Sequence, residues 1–404
     1  MNPLETLGND VWPSVLQHLE LSVIASLCGL SHSVRVDSAE VWNGVCVLKK
    51  WLFFSPEYVP FDASDARDRW RQQFRMFSRC SPRHVNELRT LGHSPIIPSC
   101  AFSNCRALTL THLPQGVTTI GKFAFANCHA LALTQLPEGI TTIGNRAFCG
   151  CHALELTQLP EGITTIRGFA FWGCHALALT KLPEGVTTIE LLSFGDCRAL
   201  ALTQLPQGLT TIGEHAFSSC HKLALTQLPT GMTAIEAGAF ENCGALALTQ
   251  LPSGVTAIED GAFNNCYTLA LTQLPEGVTT IKEWAFNNCR ALALKQLPNG
   301  ATTIKVGSFS GCHALALTQL PDGITAIEDN AFLGCHALAL THLPEGLTTI
   351  GDDAFAYCKS LKITQLPEAL TTIGENAFLG CASALALVPN SDDSDDSDDS
   401  DDES

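Results

Sequence analysis

Six Cys-His pairs, Cys128-His129, Cys151-His152, Cys174-His175, Cys220-His221, Cys312-His313 and Cys335-His336, set a thiol beside an imidazole. Those two donors suit zinc. The same cysteine, however, is also followed by Arg198, Gly244, Tyr267 or Arg290. It is therefore kept whether or not a second ligand stands beside it, as a small apolar filler would be. Structural thiols are expected, with no metal and, in an intracellular chain, no disulfides. "GVTTIGKF" at Gly116–Phe123 satisfies most of the phosphate-cradling pattern G-x-x-x-x-G-K-[ST]. Phe123 stands where the magnesium-binding hydroxyl belongs, and other units repeat the same glycine spacing without the lysine, so coil geometry explains it better. Cys149 is the extra thiol of the array, with no unique base nearby to activate it. No catalytic residue and no cofactor is expected, because catalysis needs a positioned group that breaks the pattern.

The pattern itself is strict. Proline recurs every 23 residues from Pro114 to Pro367, and cysteine at the same step from Cys105 to Cys381. Such a period signals a solenoid in which no coil buries itself alone. In "CHALALTQLPEGITTIGxxAFxxC" the alternating leucines point inward from a short strand, and "PEG" turns the chain. A second apolar pair lies in "ITTI", and "AFxxC" is expected to close the coil in a helical or 3-10 turn. Stacked at about 4.8 Å, twelve coils after a degenerate first unit would form an array on the order of 60 Å long.

Composition narrows the partners. The formal charge of −17 falls to −8 once the nine acids of "SDDSDDSDDSDDES" are set aside. A body of that sign is a poor match for nucleic acid. Apolar runs fall far short of the roughly 20 residues that span a bilayer, so no membrane partner is expected. The N-terminus has acids where a signal peptide carries Lys or Arg, and no Asn-X-Ser/Thr sequon occurs. A cytoplasmic or nuclear location is expected.

The unit "L.LP.G.TTIG..AF..C", spanning about 290 residues from Ile96 to Val388, resembles the BspA-type leucine-rich repeat. The resemblance implies a leucine-rich-repeat solenoid over residues 96–388. The constant letters carry the stack, so information about a partner must lie in the letters that vary. Immediately before "AF" the early units place Phe123, Arg146, Phe169, Leu192 and His215, where later units mostly place Gly, Asn or Asp. Trp172 falls on the same rim, and Trp284 is a later example. These residues either pack within the turns or against the N-terminal domain, or they form a partner-binding patch for a target protein the sequence does not name.

Residues 1–60 do not repeat. Short amphipathic helices are expected from Val11, Val15, Leu16 and Leu19, then Ile24, Leu27 and Leu30, then Val41, Trp42 and Val45. This head resembles the F-box, with Leu7, Val15, Leu16, Leu19, Ile24, Leu27, Leu30 and Trp42 in that family's apolar places. The resemblance implies docking on the adaptor subunit of a cullin-RING ubiquitin ligase. The other reading is a cap over the end of the solenoid. Residues 61–95 are expected to form a basic helical linker, with seven arginines between Arg67 and Arg89. Residues 389–404 are expected to form a disordered acidic tail, where Ser391, Ser394, Ser397 and Ser400 are candidate sites for acidophilic kinases.

The fold class read from the sequence is thus α+β: a small all-helical F-box-like domain before a solenoid of strands and helical or 3-10 turns. The functional reading is a non-enzymatic substrate-recognition subunit of an F-box-type ubiquitin ligase. The alternative is a leucine-rich-repeat scaffold or adhesion-type binding protein with no ligase role.

Overall fold

A computed structural model describes residues 95–106 and 108–381. The F-box-like head with Leu7, Val15, Leu16, Leu19, Ile24, Leu27, Leu30 and Trp42, nearly all of the basic linker, and the tail serines Ser391, Ser394, Ser397 and Ser400 lie outside the described residues.

Thirteen two-residue strands mark the coils, from β1 (Ile96–Ile97) and β2 (Thr119–Ile120) to β13 (Thr372–Ile373). Within four successive sheets, β1 to β3, β4 to β6, β7 to β9 and β10 to β13, neighbours pair in parallel at a constant offset of one coil, Thr119 opposite Thr142 and Ile120 opposite Ile143. The paired strand is therefore the Thr-Ile or Ala-Ile element rather than the Leu-Ala-Leu segment expected from alternation. The leucines of that segment do point inward: Leu131 and Leu133 are fully buried. Their backbone bonds sparsely between coils, as in Glu155 N–H to Leu133 O at 3.1 Å. At the next corner, Ile140 N–H bonds back to Pro137 O at 3.1 Å, which closes the expected turn.

Among the described residues there is no α- or 3-10 helix, so the expected helical turn is corrected to a run of single turns. The hydrogen bonds give the reason. Amides alternate between two partners: Ala124, Ala126 and Cys128 bond three residues back, to Gly121, Phe123 and Phe125, at 3.1–3.2 Å. Between them, Phe123, Phe125 and Asn127 bond to Asn145, Ala147 and Cys149 of the next coil at 2.6–3.0 Å. Half of the donors that would propagate a helix thus hold the stack together. The backbone also enters the left-handed region at Phe123 and Asn127, φ +57° and +59°, which a helix cannot accommodate.

One phenylalanine per coil, Phe102 to Phe378, forms a column through the core, with ring centres 5.0–5.7 Å apart and planes within 11° of parallel. The ladder cysteines line it. Cys128 Sγ donates to Phe102 O at 2.9 Å and Cys151 Sγ to Phe125 O at 3.0 Å, a pattern kept to Cys381. Each of these carbonyls also accepts the cysteine N–H of its own coil, as Phe125 O does from Cys128 at 3.1 Å. The thiol thus fills a small apolar space and satisfies a second lone pair of a buried carbonyl.

Candidate interaction surface

The motifs that suggested chemistry are resolved by geometry. In each Cys-His pair the cysteine faces inward, with Cys128 and Cys174 fully buried, while its histidine stands at the surface. The two donors therefore do not converge, and among the described residues no group of three His, Cys, Asp or Glu side chains is placed to hold a metal ion. Burial pushes the thiols of Cys151, Cys174 and Cys220 well above their usual range. Cys149 is half-buried and also raised by burial, against a smaller opposing effect of Arg146. Several of the amides that a phosphate would need at Gly116–Phe123 are already used. Val117 bonds to Pro114 O at 3.2 Å, Gly121 to Ile97 O at 2.8 Å and Phe123 to Asn145 O at 3.0 Å.

The residues before "AF" form one column along the edge of the stack, every one with positive φ. Phe123, Arg146, Phe169, Leu192 and His215 have φ of 50–57°, and Gly238, Gly261, Gly307, Asn330, Asp353 and Asn376 continue the column at 53–57°. Gly, Asn and Asp are the residues that accept this backbone readily; a bulky side chain there costs roughly 1–2 kcal/mol. Five consecutive early coils carry that cost, as does the later Trp284 at φ +54°.

Along the column, side chains lie on one another rather than inside the coil. The Arg146 guanidinium carbon is 5.4 Å from the ring centre of Phe123 and 4.2 Å from that of Phe169, so the cation lies between two aromatic faces. Lys122 adds a second cation 5.2 Å from Phe123. Phe123, Arg146, Phe169, Leu192 and His215 are half-buried, while Trp172 and Leu191 are 41 % and 39 % exposed. Small residues in the next coil make room. A Cβ on Gly195 would come within 2.9 Å of Trp172 Cδ1, and one on Gly238 within 2.1 Å of His215 Nδ1. His215 Nδ1 also lies 3.4 Å from a Glu241 carboxylate oxygen.

The structure thus places all six residues singled out on the rim along one edge, with Phe123, Arg146 and Phe169 in direct contact. It adds Lys122 and Leu191, which occupy the same freely varying letters and could have been found there. The charge balance shifts along the rim: Lys122, Arg146 and Arg167 stand at its start with Glu190 and Glu214, whereas its later coils carry Glu259, Asp260, Glu283, Glu328, Asp329, Asp352 and Asp353 against Lys282 and Lys305.

The family model of the BspA type leucine rich repeat region matches residues 75–201, 192–316 and 294–392. The chain belongs to this family. No curated protein matches its sequence. Among solved structures it is similar to a leucine-rich repeat protein from Bacteroides ovatus, at 25 % identity over 71 % of this chain and 80 % of that one, with a TM-score of 0.48. It is also similar to a leucine rich cell surface protein from Faecalibacterium prausnitzii, at 27 % identity over 65 % and 86 % of the two chains, with a TM-score of 0.39. A T. pallidum leucine rich repeat protein is 28 % identical over 49 % and 79 %, with a TM-score of 0.30.

Proposed function

We propose that this BspA-type repeat chain is a non-enzymatic scaffold or adhesion-type binding protein, and that the early rim, from Lys122 to His215, is where a protein partner docks. The observation that carries the reading is the run of bulky side chains held in left-handed backbone, with Arg146 between Phe123 and Phe169. Coils Gly238 and Asn330 show that the stack can be built without those side chains. Backbone strain kept where an unstrained residue would serve is a mark of function. Arginine and tryptophan are also the side chains that dominate protein interfaces.

A ubiquitin-ligase receptor would act through residues 1–60, and nothing in the solenoid calls for it. Co-purification of the full chain with a cullin-RING adaptor, abolished by Leu16→Asp with Leu19→Asp, would restore that reading. The binding reading is tested by affinity capture with the full chain and with its Arg146→Asn, Phe169→Asn variant. Proteins held by the first and released by the second support it. A capture profile indifferent to the substitutions removes it.

A further inference from the structure

The residue after each ladder cysteine forms a second column, on the outside of the stack, that the rim does not use. From Arg106 to Lys359 it reads Arg106, His129, His152, His175, Arg198, His221, Gly244, Tyr267, Arg290, His313, His336, Lys359. Ten of these twelve are basic and none is acidic, in a chain with only 23 Lys and Arg, 13 His and 40 acids. The enrichment is spatial as well. His129, His152 and His175 stack with ring centres 4.5 Å apart, and His313 and His336 at 4.6 Å. Arg290 lies over the Tyr267 ring at 5.2 Å. Lys222 and Lys362 stand beside the column, and alanines such as Ala130, Ala153 and Ala314 flank it.

Among the described residues one carboxylate pairs with this column. Asp196 Oδ2 is 2.8 Å from His175 Nε2, and its Oδ1 accepts from Arg198 Nε at 2.8 Å. Near the C-terminal end, Arg290, His313, His336 and Lys359 have no such partner among the described residues. Arg290, Lys359 and Lys362 carry the fixed positive charge of this stretch, and the potential they set up attracts an anion. The matching anion is within the same chain: residues 391–404 hold nine acids and no base.

We propose that the C-terminal half of this column, Arg290, His313, His336 and Lys359 with Lys362, is the docking surface for the chain's own acidic segment, residues 391–404. The inference is independent of the partner bound at the rim. Connectivity favours it, because Cys381 is the next cysteine of the same ladder, so the chain leaves the last described coil at the foot of the column. The 23 residues beyond Cys381 reach about 76 Å when extended, whereas Lys359 to Arg290 is three coils, about 14 Å. The segment therefore has length to fold back along the cations. Phosphate on Ser391, Ser394, Ser397 or Ser400 would add anionic charge to the docked segment and tighten it.

Zero-length carbodiimide coupling of the full chain at low protein concentration and low salt tests this. The expected products join Lys359 or Lys362 to acids of 391–404 and disappear in about 0.5 M salt, where screening shortens the reach of each charge. In a mixture of isotopically light and heavy chains these products are unmixed. Tail acids coupled equally to lysines far from the column, such as Lys122 and Lys282, overturn the proposal. Mixed products overturn it as well, since they place the segment on a second copy. A second readout follows His313, which faces His336 and Arg290. Changing the nine tail acids to amides is expected to lower the His313 titration midpoint by NMR and to leave His129 unchanged; an unmoved His313 overturns the proposal.

Discussion

The guanidinium of Arg146 lies 4.2 Å from the ring centre of Phe169, one coil away. The two residues share a column in which every backbone is left-handed, so each holds a conformation that an asparagine would hold with less strain. Replacing Leu192 in that column by Asn is expected to leave stability within about 1 kcal/mol of the parent, or to raise it. A buried leucine such as Leu200 changed to Ala is expected to cost roughly 2–5 kcal/mol. Chemical denaturation of the two variants checks the contrast.

Gly238 and His215 are coupled across coils, because a Cβ on Gly238 would come within 2.1 Å of the His215 ring. Gly238→Asn alone should destabilise by clash. Combined with His215→Gly it should recover most of the loss, because Asn is tolerated in this column at Asn330 and Asn376. A double-mutant cycle is expected to give a coupling of about 1 kcal/mol or more; additive effects would place the His215 ring elsewhere.

Ser193 and Ser308 both replace the alanine before the core phenylalanine, yet their surroundings differ. Ser193 Oγ donates to Glu190 O at 2.5 Å, whereas Ser308 Oγ is buried without a partner. Leaving a buried hydroxyl unsatisfied costs roughly 1–3 kcal/mol. Ser308→Ala should therefore stabilise the chain and Ser193→Ala should destabilise it. Melting temperatures moving in the same direction would contradict the assignment.

The histidine stack makes stability depend on pH. Burial, and then the charge of Arg106, hold His129 below the usual imidazole range; burial, and then His129 and His175, do the same to His152. A base whose affinity for protons is lower in the folded state gives stability that is full above the unfolded value, about 6.5, and is lost as pH falls through it. Burial opposes ionisation of Asp196, but bonds from Arg198 and His175 keep it below the usual carboxylate range, so it stays charged above pH 5. The melting temperature should fall from pH 7.5 to pH 5.5, and fall less in His152→Gln. An equal fall in both proteins would assign the effect to other groups.

Much of this was legible in the sequence because the period never slips. Neighbours in space are 23 residues apart, so Phe123, Arg146 and Phe169 could be aligned in a column, and the inward leucines and cysteines could be assigned. The helical turn was misread because "AFxxC" has the composition of one, while alternate amides bond to the next coil, a use that composition does not reveal. The paired strand was misplaced for a related reason. Leu131 and Leu133 alternate as a strand should, but the ladder forms where Ile120 and Ile143 meet. The ladder cysteines were legible as structural because they recur without a neighbouring histidine, whereas adjacency in sequence does not show that Cys128 faces inward and His129 stands at the surface.

The central claim is that the early rim binds a protein partner, and affinity for a captured partner tests it most directly. Titration should show that Arg146→Asn with Phe169→Asn weakens binding at least tenfold, about 1.4 kcal/mol. Gln250→Ala with Gln273→Ala, two exposed residues of the Thr-Gln letters before Leu251 and Leu274 and outside the rim, should leave it unchanged. Unchanged affinity in the rim variant, with loss in the Thr-Gln variant, would contradict the claim and move the binding site off the rim.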